Sequence, residues 1–507
     1  MGRSETREAP DASGTPLVVR AEYGWALGAA AVVTLATAVP YLVAWAWTPL
    51  GQVWMGTTHN GMDTAVHWSW IAQAREGSFF LSNLFATEPQ SGRFVHLWAW
   101  GIGALSALLQ VPYVAVYHAS RLLFTFTTVV LVYRLTAFVV GDPRARRWAT
   151  AAVCVGAGLG WIVGLSGAPF GSADLVQPEV VTFQALYTSG LFAFSLTLFL
   201  LALVSLLEAE RSGSSRWALA AGVAALLLVN VHTYDVVPLA AAWVAHLIVG
   251  RARRGAFSRP ALRATAIAAA VAAPGVAWTA WYFLSDPVLQ ARVAVATASP
   301  PPGHYAVGFG LLLPLAVLGV SHESARRDMV LLLAAWAILQ LGLGYAPVPF
   351  QRKLLMGVHV PIAMLAGLGL ARIGARHHGR AVATVLLVLA ALSNLFFVAR
   401  DLNALSERRG DLSNFATYVP RGVYEGFVRA RALPRSAVVA ATPGYSPHVA
   451  AVAGRTTLPG HWGETPDYDR KRALVTGVLA EEMSLGAFAG ETGATHLLVD
   501  GRLIELP

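Results

Sequence analysis

Asp63 and His67 are the first residues along the sequence whose types and spacing could do chemistry. They stand four positions apart, so in a helix they share one face. A carboxylate at the start of a helix at the edge of a bilayer is well placed to orient and deprotonate a hydroxyl group. The alternative is that Asp63 caps the helix and that His67 is a solvated side chain at the membrane interface.

The segment that carries this pair has the pattern of an interfacial helix. Residues 63–74 place Val66, Trp70 and Ile71 on one apolar stripe, with polar residues on the remaining surface. We therefore expect a helix that lies along the membrane surface and exposes Asp63 to the aqueous side.

A pair of basic residues, Arg352 and Lys353, could bind a phosphate group. Arginine offers a planar fork of donors to phosphate oxygens, and lysine offers a compact positive charge. The alternative is that both side chains extend toward lipid headgroups without binding a substrate.

Five further positions are candidates for substrate binding. His232, Tyr234 and Asp235 interrupt an apolar stretch, where ionisable groups are costly and usually functional. The alternative for these three is a polar turn that reaches the membrane surface. Glu179 and His304 lie in loops, where polar residues need no special explanation.

Several classes of site are absent from the sequence. It contains no Walker A pattern, no G-x-G-x-x-G after a strand, no H-E-x-x-H and no G-x-S-x-G. The single cysteine, Cys154, lies in an apolar run, so there is neither a disulfide framework nor a zinc site built on thiolates. We expect no cofactor and assign no metal ligands, although a divalent metal ion is not excluded.

The elements that must position these residues are membrane helices. Of the 507 residues 56% are hydrophobic and only 13% are charged, whereas soluble chains carry about 25% charge. The sequence predicts an all-α polytopic membrane protein of the plasma or inner membrane, with membrane lipids as partners. Runs close to the 20 residues that a span needs lie at 24–46, 120–140, 148–167, 187–207, 217–231, 235–250, 264–284, 305–320, 329–344, 356–373 and 381–400.

The distribution of arginines predicts the orientation of these eleven spans. The net charge of +9 comes mostly from short basic tracts between apolar runs, which is typical of membrane topology and not of nucleic-acid binding. All tracts lie in the cytoplasm only if the apolar run 95–117 does not cross. Its tryptophans, glycines and Pro112 favour a juxtamembrane or re-entrant segment. The N-terminus is then inside and the C-terminus outside.

This topology divides the chain into three parts. Residues 1–23 form a cytoplasmic tail, and residues 24–400 form the transmembrane domain with a first outer loop at 47–94. Residues 401–507 form a small α/β domain outside the cytoplasm, with strands predicted at 436–442 and 495–499 and a helix at 467–482. The candidate residues all fall on the outer side.

The order of these features resembles the GT-C superfamily of integral membrane glycosyltransferases, in particular the bacterial relatives of protein mannosyltransferases and aminoarabinose transferases. The likeness covers most of the chain. It rests on Asp63 in a large loop after the first span, a His-x-x-Arg at His118 and Arg121, Pro178-Glu179, the turn 232–235, the segment 350–353 and the tail motif 460–465.

The resemblance implies an inverting transfer of a sugar from a polyprenyl-phosphate-linked donor to a glycan, lipid or protein acceptor on the outer face, with Asp63 as the base. Many relatives carry two adjacent acids at this position, whereas Thr64 follows Asp63 here. Two alternatives stay open: a transporter or flippase of lipid-linked glycans, and a non-catalytic protein of envelope assembly.

Overall fold

The computed structural model describes residues 17–167, 170–322, 325–407, 412–413 and 415–507. Most of the predicted cytoplasmic tail, residues 1–16, lies outside this range. The first helix begins at Arg20, a little earlier than the apolar run that predicted it.

Long apolar helices dominate the described part of the chain, which is a polytopic membrane protein. Eight of them are long and apolar enough to cross a membrane: Arg20–Ala46, Tyr113–Val139, Pro143–Ser166, Gly190–Ser212, Thr233–Arg254, Arg259–Ser285, Gln351–Gly374 and Gly379–Ser406. A ninth candidate is the pair Pro302–Phe309 and Leu312–Gly319, which is bent by 74°.

The number of such helices is smaller than the eleven predicted. The predicted spans 217–231 and 329–344 are helices of 17 residues each, Ser215–Val231 and Arg327–Leu343. At 1.5 Å per residue each is about 26 Å long, which is less than the roughly 30 Å of a bilayer core.

The run 95–117 forms a short helix, Leu97–Leu109, and then turns. Its 13 residues extend about 20 Å, too short to cross a bilayer. Gln110 adopts a left-handed backbone conformation after it, with φ of 55°, and the next helix starts at Tyr113.

Local signals explain several helix ends. The carboxylate of Asp142 accepts hydrogen bonds from the N–H groups of the second and third residues of the following helix, at 3.1 Å each, and Pro143 occupies the first helical position. Gly213 and Gly255 end two helices with φ of 68° and 76°, the conformation that favours glycine at this position.

Shorter helices lie mostly between the long ones and after them. The first outer loop contains Gly61–Arg75. Short helical segments follow at Ala173–Val176, Pro178–Val180, Thr182–Thr188 and Pro287–Ala294, and the C-terminal region contains Arg421–Ala430, Ser446–His448, Val449–Ala453, Tyr468–Leu479 and Leu485–Thr492. The helix predicted at 467–482 therefore exists with slightly narrower bounds.

The described strands form two small sheets. β1 (Gln52–Trp54) pairs antiparallel with β2 (Tyr418–Pro420) and so joins the loop 47–94 to the C-terminal region. β3 (Val438–Ala441) lies parallel to β4 (Thr456–Leu458) and β5 (His496–Val499), and β6 (Arg502–Glu505) closes the sheet antiparallel to β5. β3 and β5 correspond to the strands predicted at 436–442 and 495–499.

The C-terminal region packs directly on the loop 47–94 that follows the first long helix. One hydrophobic cluster joins the helices Gly61–Arg75 and Leu97–Leu109 to Ala450 and Ala451. The two helices approach closely at Gly103, where an added Cβ atom would lie 2.6 Å from the Cβ of Ala74. The backbone N–H of Thr457 also donates to the carbonyl of Leu84 at 2.9 Å.

Candidate functional site

The helix Gly61–Arg75 carries Asp63 in its first turn. Asn60 is the residue that precedes the helix, with a left-handed backbone at φ of 43°, and Asp63 is the third helical residue. The interpretation of Asp63 as the N-cap is therefore wrong. A carboxylate in the first turn still complements the positive end of the helix dipole.

This helix is more buried than the sequence predicted. Val66, Trp70 and Ile71 are buried as expected, but Trp68 and Ser69 on the other side are buried too. We expected a helix on the membrane surface with one face in water. The C-terminal residues Ala450 and Ala451 pack in the same cluster, which is a tertiary contact that helical periodicity does not reveal.

Asp63 is held by two side chains. Its Oδ1 lies 2.9 Å from Nε2 of His461, and its Oδ2 accepts a hydrogen bond from the side-chain amide of Asn60. The other ring nitrogen of His461, Nδ1, accepts the backbone N–H of Gly463 at 3.0 Å. Because Nδ1 is an acceptor, the ring proton of a neutral His461 lies on Nε2 and is donated to Asp63.

These contacts keep Asp63 ionised. Burial by itself would raise the pKa of its carboxyl group, but the hydrogen bond and charge of His461, together with Asn60, outweigh burial and hold the pKa well below its usual range. The carboxylate lies deep within the protein but faces a cavity, which leaves 47% of the side chain exposed. The site thus presents a fixed negative charge.

His67 lies one turn further along the same helix and is neutral. Burial lowers the pKa of its ring to about 4, although the charge of Asp63 acts in the opposite direction. Its ring packs against Trp70 and Trp98, and its Nδ1 has no hydrogen-bond partner within the described ranges.

The cavity that Asp63 faces has a volume of about 280 Å³ and gathers residues from across the sequence. Seven of the nine candidate residues line it: Asp63, His67, Glu179, His232, Tyr234, Arg352 and Lys353. These seven residues come from four separate segments of the chain, which tertiary structure brings together.

The two basic residues are each held in place by a neighbour. Nε of Arg352 lies 3.2 Å from Oε1 of Glu179, and the arginine side chain remains 38% exposed. Burial raises the pKa of Glu179, and the nearby Arg352 acts against that shift. Nζ of Lys353 lies 4.7 Å from the centre of the Tyr234 ring, within the range of a cation–π contact.

Asp235 and His304 do not line the cavity. Asp235 is fully buried, accepts a hydrogen bond from Ser195, and has an oxygen 2.9 Å from Nδ1 of His232. It thus sits behind a cavity residue. His304 packs its ring against Phe170, with 5.0 Å between ring centres, and we do not include it in the site.

The cavity also contains residues outside the nine candidate positions. His461, Trp462 and Glu464 come from the tail motif 460–465, and Arg292 comes from the outer segment after the helix Arg259–Ser285. Nε of Arg292 lies 2.7 Å from Oε1 of Glu464. The motif was visible in the sequence, but its position beside Asp63 was not.

His118 and Arg121, which contributed to the family resemblance, have structural contacts instead. Nε2 of His118 lies 3.0 Å from the carbonyl oxygen of Gly56. The guanidinium group of Arg121 is buried and donates to the carbonyls of Thr37 and Leu186 at 3.2 and 3.3 Å.

In the part of the chain that the structure describes, no group of three or more His, Cys, Asp or Glu side chains is arranged so that it could hold a metal ion.

Comparison with known proteins gives a match at the level of structure. No family model and no curated protein matches the sequence. A mutant of the arabinofuranosyltransferase AftD from Mycobacteria, a GT-C glycosyltransferase, superimposes with a TM-score of 0.50 over 87% of this chain, at 18% identity. The chain has the GT-C fold. It spans only about a third (33%) of the length of AftD.

Two structures of the GT-C protein ArnT from Cupriavidus metallidurans also match, each with 12% identity and a TM-score of 0.48. The apo form aligns over 86% of both chains. The form bound to undecaprenyl phosphate aligns over 91% of this chain and 89% of ArnT.

Proposed function

We propose that this protein is a glycosyltransferase that moves a sugar from a polyprenyl-phosphate-linked donor to an acceptor on the outer face of the plasma or inner membrane. The observation that carries the proposal is the composition of one cavity, which holds an ionised carboxylate, Asp63, together with the basic pair Arg352 and Lys353. AftD, which shares the fold, is named an arabinofuranosyltransferase, and this agrees with the proposed class of reaction.

The carboxylate suits the attacking hydroxyl group, and the basic pair suits the leaving phosphate group. An acceptor hydroxyl attacks the anomeric carbon of the donor, the bond from that carbon to the phosphate oxygen breaks, and the hydroxyl proton passes to Asp63. The leaving polyprenyl phosphate is stabilised by Arg352 and Lys353. Attack from the face opposite the phosphate inverts the anomeric configuration.

The neighbours of the basic pair support phosphate binding over simple contact with lipid headgroups. Glu179 engages Nε of Arg352, and the side chain remains partly exposed. A fixed, planar guanidinium suits two phosphate oxygens at once. The ring of Tyr234 positions the ammonium group of Lys353 through the cation–π contact.

The apolar part of the cavity lining is suited to the prenyl chain. Val176, Leu191, Phe192 and Phe283 contribute apolar side chains to the lining, and Val176 is 59% exposed. A lipid donor needs such an apolar path beside a polar headgroup site. The donor would also explain why an enzyme of this kind carries no nucleotide-binding motif.

The direct test is transfer by the purified protein. Purified full-length protein is incubated with radiolabelled polyprenyl-phosphate sugars and a membrane extract as the source of acceptor. We expect the label to leave the lipid for a larger product, with release of polyprenyl phosphate and an inverted anomeric centre by NMR. Label that remains on the lipid throughout contradicts the proposal, and movement of the intact lipid-linked glycan across vesicles would favour the transporter alternative.

A further inference from the structure

A second cavity of about 790 Å³ lies beside the Asp63 cavity. One wall is the helix Pro287–Ala294 with Val295, and the other is the segment 462–470. The two cavities share lining residues: Arg292, Val295, Trp462, Gly463 and Glu464. A ligand in the second cavity would therefore lie next to the first.

Trp462 stands at the junction of the two cavities. It is 52% exposed, and its indole stacks on the ring of His461 with 5.6 Å between ring centres and 27° between planes. His461 in turn donates to Asp63. An exposed indole in this position provides a flat apolar surface two side chains away from the carboxylate that we assign as the base.

Carboxylates supply the polar part of the second cavity. Asp467 and Asp469 line it beside Tyr468. The two arginines of the lining are already paired, Arg292 with Glu464 at 2.7 Å and Arg470 with Glu491 at 2.8 Å.

The chemistry of this lining favours one class of ligand. The lining has three carboxylates against two arginines, so it repels anionic chains. An exposed aromatic face packs against the apolar face of a sugar ring, and ionised carboxylates accept hydrogen bonds from hydroxyl groups. A cavity of this size falls within the usual range for small-molecule sites, roughly 300–1,000 Å³.

We infer that the second cavity binds a neutral oligosaccharide, with Trp462 as the stacking surface and Asp467 and Asp469 as acceptors for sugar hydroxyls. The bound chain is the acceptor of the transfer, and its terminal hydroxyl reaches Asp63 past Trp462. The acceptor role rests on the proposed function, whereas the binding itself does not.

The test measures binding in the absence of any donor. Full-length protein is titrated by calorimetry with neutral arabino-, manno- and gluco-oligosaccharides of three to five units, and with oligogalacturonate as an acidic probe. We expect at least one neutral series to bind and the acidic probe not to bind. Trp462→Ala should weaken binding about tenfold, whereas Trp462→Phe should retain most of it because an aromatic face remains.

Matched variants separate this site from a general effect on the fold. Trp100 is also exposed, at 39%, and lines neither cavity, so Trp100→Ala should bind as the parent does. Asp467→Asn should weaken binding about threefold, as expected for one hydrogen bond to a charged acceptor that becomes neutral.

The outcomes distinguish this inference from the proposed function. Binding that depends on Trp462, in a protein that never transfers sugar, supports the site and contradicts the transferase. Transfer to some acceptor without binding of any neutral oligosaccharide overturns the inference and leaves the transferase in place. Binding that Trp462→Ala does not change, or preference for the acidic probe, also overturns the inference.

Discussion

Oδ1 of Asp63 lies 2.9 Å from Nε2 of His461, although 398 positions of the sequence separate the two residues. The hydroxyl of Thr465 holds the backbone of His461 in position. It accepts the backbone N–H of His461 at 2.9 Å and donates to the carbonyl of Phe85 at 2.7 Å. The C-terminal region therefore sets the orientation and charge of a carboxylate in the loop 47–94.

The pH dependence of transfer should reflect this contact. Because His461 holds the pKa of Asp63 below its usual range, activity should persist below pH 4, where an ordinary aspartate of pKa about 3.9 would be protonated. His461→Ala removes the donor, so the pKa of Asp63 should rise and the acidic limb of kcat/KM should move to higher pH. The measurement is the pH profile of transfer by both proteins.

His461→Gln is the control, because its amide can still donate a hydrogen bond, and its acidic limb should lie between the other two. The same contact should stabilise the fold. Because the pKa of Asp63 is lower in the folded than in the unfolded protein, the contact should raise the free energy of unfolding at pH values above the unfolded-state pKa. This contribution should be lost as the pH falls through the folded-state pKa. An acidic limb that is identical in parent and His461→Ala would show that His461 does not tune Asp63.

Arg352→Lys should impair use of the donor. The ammonium group cannot reproduce a planar fork on two phosphate oxygens, so we expect the apparent donor KM to rise about tenfold, equivalent to about 1.4 kcal/mol. Arg380→Lys, in a basic cavity apart from Asp63, should not change it. An unchanged donor KM in Arg352→Lys would favour the alternative that this side chain only contacts lipid headgroups.

Glu179 should act on the donor through Arg352. We expect Glu179→Gln to raise the donor KM by severalfold in the parent, because the guanidinium loses the partner that lies 3.2 Å from its Nε. In the Arg352→Ala background the same change should have little further effect, since its partner is gone. Additive effects in this double-mutant cycle would mean that Glu179 has a role of its own.

The orientation of the chain can be tested by fusions. With the basic tracts in the cytoplasm, the residue after Pro507 lies outside, so an alkaline phosphatase fused there should be active and a cytoplasmic reporter should be silent. A fusion after Arg254, which ends the helix Val236–Arg254 in a basic tract, should show the reverse pattern. Active phosphatase after Arg254 would overturn the assignment of every loop.

Periodicity and charge predicted the features of this molecule that depend on local sequence. The strands at β3 and β5 and the short helix before Tyr113 follow from residue types over a few positions. The ionisable residues that interrupt an apolar stretch pointed to His232 and Tyr234 of the cavity lining, because burying such groups needs a reason. Asp235 and His304 were also candidates but do not line the cavity. Polar residues in such positions can instead stabilise a neighbouring side chain or a loop.

Contacts between distant segments could not be predicted. Nothing local to the tail motif shows that His461 meets Asp63, or that Glu464 pairs with Arg292. The burial of the helix Gly61–Arg75 depends on the same packing. Hydropathy predicted eleven spans, whereas eight described helices, or nine with the bent pair, are long and apolar enough to cross a membrane.

The most direct test of the central claim is transfer by Asp63→Asn. Asparagine can still accept the hydrogen bond from His461, but it cannot take a proton. We therefore expect the variant to fold and purify like the parent and to lose transfer by about 10²–10⁴-fold. Asp328→Asn, a surface acid paired with Arg253, is the control and should transfer normally. Near-parental transfer by a well-folded Asp63→Asn would contradict the assignment of Asp63 as the base.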